Sequence, residues 1–263
     1  MTSDSSRLLS IFSRRRSIRK FSSKPVREVD IRKIVEVGQR APTACNLQTY
    51  SVVWIRDAKL REKVLDACSV SGSIGNAPIV FVICSDVRRL GKVLDYLGYD
   101  HCLKHGYGYS IKLMSIMDAS FMAENMTMAA ECLGLGSVFV GSALANDEVI
   151  KTLKLPRGVL PLTLLCVGYP DEQPPTRPRW SLSSVLHLDH HRDPAEHEMK
   201  AFLKHMDHEL KKEGYYQKYG NRGPTHRYSN HIKRKTALKP IKKDDAEIMP
   251  VVKKMGFLPG EAI

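Results

Sequence analysis

The stretch MDASFMAENMTMAAECLGLGSVFVGS, Met117 to Ser142, decides how this chain is read. Ala119, Met122, Ala123, Met126, Ala129, Ala130 and Leu133 recur at the i, i+3, i+4 spacing of one helix face, so the spacing predicts a helix over Asp118 to Leu133. That face is made of small residues, which lets another helix come close. Gly134 supplies the stop, since glycine adopts the left-handed conformation that ends helices. Ser137 to Val140 then reads as a short strand. The glycines do not make a dinucleotide loop: a GxGxxG fingerprint follows a strand and opens a helix, and here the order is reversed. Gly141-Ser142 still offers a backbone that a flat ligand can approach, because glycine has no Cβ.

Outward from that stretch, elements of both kinds alternate. The chain from Pro25 to Arg40 has a helical stripe that stops at Ala41-Pro42. Tyr50 to Arg56 and Pro78 to Cys84 are β-branched runs separated by a helix over Ala58 to Ala67. Tyr96 to Tyr109 has no clean period and reads as a long loop. Asp147 to Leu153 reads as a helix and Pro161 to Gly168 as a buried strand. Beyond Pro170 the chain turns polar, with helical patterns near Pro194 to Lys212 and Asp244 to Met255 and no internal repeat. The expected division is a core over residues 1–190 and a C-terminal extension over 191–263.

The composition fits a folded protein, with 43% hydrophobic and 26% charged residues among 263. Its formal net charge is +13, and the excess lies at the ends: residues 1–40 carry +7, 41–195 are neutral, and 196–263 carry +6. Such a balance points to polyanions or phosphorylated small molecules. The six cysteines contain no CxxC pair, which argues against a zinc ribbon, and two of them sit in apolar strand-like runs. A reducing, cytoplasmic setting follows as the expectation. No apolar run approaches the roughly 20 residues of a membrane span. The Ser-rich start before Arg14, Arg15 and Arg16 has the look of a transit peptide, which Asp4 weakens.

Motifs with their own chemistry are few. There is no GxSxG, HExxH or GxxxxGK[ST]. His187, Asp189 and His191 have metal-ligand chemistry, but Pro194 follows closely and a solvated loop suits the run better, so no metal is expected. Cys45 with His101 or His105 has the residue types of a nucleophile and base, yet a lone cysteine and a distant histidine are more often structural. Arg15-Arg16-Ser17-Ile18-Arg19-Lys20-Phe21 remains. Its arginines present planar donor forks suited to phosphate, and a solvated basic turn is the plain alternative.

Taken in order, RRSIRKF, the segment Ala41-Pro-Thr-Ala-Cys-Asn-Leu-Gln48, Met117 to Ser142, Leu153 to Pro170, Arg177-Pro178-Arg179 and Tyr228 to Arg234 resemble the FMN-dependent nitroreductase family, in particular its larger NADPH-preferring, oxygen-insensitive nitroreductase and flavin reductase branch. The resemblance covers nearly the whole chain. It implies an α+β fold with a central, mainly antiparallel sheet flanked by helices, and a C-terminal extension that wraps a dimer partner or caps the site. It also implies that Arg15, Arg16, Ser17, Arg177 and Arg179 hold the FMN phosphate and that Arg19 lies near the flavin N1 and C2 carbonyl, where a cation stabilises the reduced ring. Thr43, Asn46 and Gln48 would bond the ring edge or ribityl chain across a homodimer interface, and Phe139, Val140, Gly141 and Ser142 would line the ring. Two departures stand out. Ala44 replaces a hydroxyl of the family pattern, and Ser69 to Ser73 lacks a glutamine that relatives place near the flavin.

The implied activity is that of an FMN-dependent NAD(P)H oxidoreductase, in which hydride passes from NADPH or NADH through the flavin N5 to a nitroaromatic, quinone or flavin acceptor by a ping-pong course. No catalytic side chain is then needed, because the cofactor carries the chemistry. Arg222 and Arg227, in Gly220 to Arg227, are the candidates for the NADPH 2′-phosphate, with an exposed basic loop as the alternative. Two other readings stand beside this one. A specialised flavin enzyme of the same fold would carry out a biosynthetic dehydrogenation or dehalogenation. A nucleic-acid binder would use Tyr215, Tyr216, Tyr219 and Tyr228 interleaved with cations. The first reading expects neither a nucleic-acid nor a membrane partner.

Overall fold

Four apolar runs pair into one antiparallel sheet: β1 (Tyr50–Trp54), β2 (Ile79–Asp86), β3 (Gly136–Val140) and β4 (Val159–Gly168), in the spatial order β1-β2-β4-β3. The computed structural model describes residues 3–70, 72–220, 222–223 and 225–263. Every residue of β2 is buried, which is why its sequence runs apolar without alternation. Pro161 of β4 cannot donate to a ladder, and it stands opposite Cys84, where the register slips by a bulge.

The helices are α1 (Ser3–Arg14), α2 (Glu28–Gly38), α3 (Ala58–Ala67), α4 (Arg88–Tyr96), α5 (Tyr109–Cys132), α6 (Asp147–Leu153), α7 (Glu196–Glu213), α8 (Tyr215–Gly220), α9 (Tyr228–Lys235) and α10 (Leu238–Lys254). α2 and α5 bury Ile31, Ile34, Met122 and Met126 with Phe81 and Leu165 of the sheet. Another cluster joins Val64 and Leu65 of α3 and Val149 of α6 to Val80, Val82 and Cys166. Alternate residues of β2 thus point into separate cores, as a strand's period of two requires. α3 and α6 have the bounds their sequence predicts. Each is capped, with Leu60 N–H donating to Asp57 Oδ1 at 2.7 Å and Val149 N–H to Asn146 Oδ1 at 3.1 Å.

The long helix departs from expectation. It begins at Tyr109, more than two turns before Asp118, directly after the loop expected over Tyr96 to Tyr109, which runs from the end of α4 with one short turn at Cys102–His105. In the early turns of α5 the pattern is inverted: Lys112, Ser115 and Asp118 are buried, while Leu113, Met114, Met117 and Phe121 are 43–53% exposed. Polar partners explain the inversion. Lys112 Nζ donates to Glu261 O at 2.7 Å, and Ser115 Oγ shares a hydrogen bond with Ser85 Oγ.

The chain forms two compact units, one of the residues up to Pro174 with Ala246–Ile263, the other of Pro175–Asp245. The division expected at 190/191 therefore falls earlier, and the last residues rejoin the first unit. They do so because Val251, Met255 and Phe257 are buried in a cluster with Val87, Leu103 and Leu160. In the second unit Met206, Leu210 and Tyr216 form a small core, beside which Trp180 stacks on Phe202 at 3.4 Å. The run from His187 to His191 belongs to this unit and is bent rather than helical. α1, α4, α8 and α9 were not expected; the last two are only 6 and 8 residues long.

All six cysteines are free. Burial pushes the Cys84 and Cys166 thiols up to about 12 and that of Cys68 to about 11, so these three are inert core residues. Among the described residues no helix is long and apolar enough to cross a membrane.

Gly136 has a steric role. A Cβ there would lie 2.4 Å from Ile18 Cγ1, whereas one at Gly141 meets nothing within 4 Å. Gly136→Ala is therefore expected to destabilise the protein by about 1–3 kcal/mol, with Gly141→Ala much milder, as measured by chemical denaturation of both variants.

Candidate functional site

The strip Arg15 to Phe21 lies along the free edge of β3. Ser17 bridges Ser137 in parallel, Ile18 N–H donates to Ser137 O at 2.9 Å, and Phe21 bridges Pro170. Two further backbone bonds hold it, from Ser22 N–H to Tyr169 O and from Asp171 N–H to Lys20 O, both at 2.9 Å. The carboxylate of Glu172 accepts from Arg19 N–H at 2.5 Å and Lys20 N–H at 3.1 Å. Ile18 and Phe21 are buried, and Arg15, Arg16, Ser17 and Arg19 beside them are half-buried. Three cations are thus seated along one strand edge, and Arg15 Nε is buried with no hydrogen-bond partner. That donor set suits a phosphate monoester.

Past Ser17 the strip leaves β3: Phe21 bridges Pro170 in antiparallel sense and Arg19 N–H meets Glu172, both beyond the end of β4. Beside Phe139 a cleft of about 310 Å³ opens between α5 and the sheet, lined by Ser120, Ala123 and Glu124 of α5 and by Ile83, Leu162 and Thr163. Val140 packs on the α3 side of the sheet and Gly141 is exposed at its end. The Ser142 hydroxyl is already engaged, donating to Cys68 O at 2.6 Å and so closing the end of α3. The chemistry of the residues fits FMN: the cations of the strip suit its phosphate, and Gly141 offers an open backbone to a flat ring.

Thr43 to Gln48 forms the second half of the predicted site. Cys45, Asn46 and Gln48 all have left-handed φ, between 50° and 56°, a conformation that side-chain-bearing residues rarely hold without support. The support is Asp118. Its carboxylate, 1% exposed, accepts from Ala44 N–H at 2.9 Å and from Thr49 Oγ1–H at 2.8 Å. From the other side Arg89 donates to Gln48 O at 2.7 Å and Tyr50 O at 2.5 Å. Sequence reasoning missed both Asp118 and Arg89. The signal for Asp118 was present, since it stands four residues before Met122 on the helix's inner face.

One chain does not bring these halves together. The loop feeds β1 and the arginine strip borders β3, at opposite edges of the sheet, about 14 Å apart by strand spacing. Asp118 and Glu131, which stands near the arginines, are about 20 Å apart along α5. Within Ser69 to Ser73, Ser71 lies outside the described residues, as do Asn221 and Pro224 of the Gly220 to Arg227 segment.

The remaining candidates belong to the second unit. Arg177 forms an ion pair with Glu213, whose side chain is 4% exposed, and its guanidinium lies 4.4 Å from the Tyr215 ring centre. Arg179 is exposed and donates to Pro178 O at 3.2 Å. Arg222 and Arg227 are exposed.

The nitroreductase family profile matches residues 12–169, and this chain belongs to that family. An oxygen-insensitive NADPH nitroreductase from Salmonella typhimurium is 30% identical over 244 residues, 92% of this chain and 94% of its own. An NAD(P)H FMN reductase from Bacillus subtilis is 31% identical over 175 residues, covering 66% of this chain and 70% of its own. Among solved structures, the hypothetical oxidoreductase YcnD of Bacillus subtilis matches with a TM-score of 0.81 at 25% identity, over 95% of this chain and 97% of that one.

Asp118→Ala would leave the loop's donors unpaired. It is expected to cost about 3 kcal/mol and to speed hydrogen exchange at the Ala44 and Thr49 amides selectively, which exchange mass spectrometry would show.

Proposed function

We propose that this protein is an FMN-dependent NAD(P)H oxidoreductase that passes electrons from a reduced nicotinamide to nitroaromatic, quinone or flavin acceptors. The observation that carries this reading is the strip Arg15 to Arg19, bridged to β3 at Ser17 and held by Glu172, in a chain of this family. When bound, FMN supplies the exchange of two electrons between nicotinamide and acceptor. The residues of the chain bind and tune it. Arg15, Arg16 and Ser17 hold the phosphate. Arg19, fixed at its backbone by Glu172, sets a cation beside the ring edge where negative charge collects on reduction. Phe139 and the open backbone at Gly141 face the ring, while Arg222 and Arg227 are the candidates for the 2′-phosphate of NADPH.

The working form is a homodimer. Leu113, Met114, Met117 and Phe121 make an exposed apolar row on α5, more than a lone subunit gains by showing to water. A partner would also bring a Thr43 to Gln48 loop to the far side of each flavin, which a single chain holds too far away. The free cysteines suit a cytoplasmic setting.

The purified protein is expected to show flavin absorption that bleaches with NADPH under nitrogen and returns on adding a quinone; a colourless protein that takes up no FMN sinks the reading. Replacing Arg222 and Arg227 together by alanine is expected to lower the NADPH to NADH ratio of kcat/KM about tenfold. Met117→Glu is expected to shift sedimentation from dimer to monomer and to weaken FMN retention in parallel.

A further inference from the structure

Three buried polar atoms without a hydrogen-bond partner among the described residues meet in one corner of the first unit: Arg15 Nε, Glu131 Oε1 and Ser137 Oγ. The topology puts them there. Ser17 bridges Ser137 in parallel, so Arg15 lies level with Leu135, next to the last turn of α5 that carries Glu131. Leaving one such atom unpaired costs about 1–3 kcal/mol, so three together are not a device for stability. Burial raises the Glu131 carboxyl above the usual range, and the charges of Arg15 and Arg16 pull it back down. The acid therefore sits within the field of both arginines.

A guanidinium has two usable edges. If a carboxylate takes the Nε–H, the terminal nitrogens on the outer edge remain for a phosphate. We propose that Glu131 is a positioning residue for the cofactor phosphate: the two groups are not paired in the structure, and when the phosphate engages the terminal nitrogens of Arg15 the Glu131 carboxylate takes the Nε–H and fixes that arginine toward the phosphate of FMN. This rests on Arg15 being a phosphate ligand, as above. Glu131 then governs the phosphate arm of the cofactor and leaves its ring unaffected.

The test is titration of the deflavinated protein with FMN and with riboflavin, which lacks the phosphate, followed by flavin fluorescence. Glu131→Leu removes the acceptor and is expected to weaken FMN about tenfold or more while riboflavin stays within about twofold. Glu131→Gln keeps an oxygen for the Nε–H and is expected to hold FMN affinity within about threefold. The double variant Glu131→Leu with Arg15→Ala should bind FMN no more weakly than Arg15→Ala alone, since the glutamate acts through that arginine. Equal losses for FMN and riboflavin, or additive losses in the double variant, would overturn the proposal and leave Glu131 a structural residue. If Arg15→Ala itself leaves FMN binding unchanged, the reading of Arg15 as a phosphate ligand falls instead. Should Glu131→Leu fail to fold, judged by its circular dichroism, Glu131→Asp serves in its place: one methylene shorter, it withdraws the acceptor, and an FMN-specific loss of about fivefold is expected.

Discussion

One buried carboxylate organises the half of the site that faces away from the arginines. Asp118 stands inside a helix of small and apolar residues and is almost wholly removed from water, a placement that only hydrogen-bond partners make tolerable. The partners it finds are the amide of Ala44 and the hydroxyl of Thr49, at the two ends of a loop with three left-handed residues. The carboxylate needs the loop to satisfy its oxygens, and the loop needs the carboxylate to hold an otherwise unfavourable backbone. Helix and loop therefore stand or fall together.

The same helix shows where reading a sequence by hydrophobic period succeeds. From Ala119 onward the inward residues are apolar, and the helix and its glycine stop are readable from spacing alone. The strands were readable for the same reason, as were α3 and α6, whose ends carry capping residues. Before Asp118 the helix is turned inside out, with lysine, serine and aspartate inward and leucine and methionine outward. No local rule identifies that stretch as helix. Its inner face is satisfied by Ser85 and Glu261, which are distant in sequence, and its outer face looks like core. The strip Arg15 to Phe21 was readable as a cluster of phosphate-type donors, and family resemblance supplied its partner. Its seat against Gly136 was hidden, because contacts between distant residues leave no periodicity behind.

The basic character of the chain divides by location. In the first unit Arg15 and Arg16 of the strip share their surroundings with Glu131. In the second, Arg177 is matched by Glu213 and the rings of Tyr215 and Tyr219, while the lysines of α9 and α10 remain on the surface. A net charge of +13 is therefore several local arrangements, of which the strip gathers three arginines within five residues.

The narrowness of the joint between the strip and β3 bears on time as well as on structure. Ser17 and Ser137 make a single bridge, after which the strip leaves β3 for the segment at Tyr169 to Asp171. A joint of one bridge and a few flanking bonds opens at a lower free energy than a full strand pairing, while the rest of the sheet stays closed. Any molecule held by the arginines can leave whenever the joint opens. Peeling of that edge is thus one route of release, set by local stability and not by the stability of the whole protein.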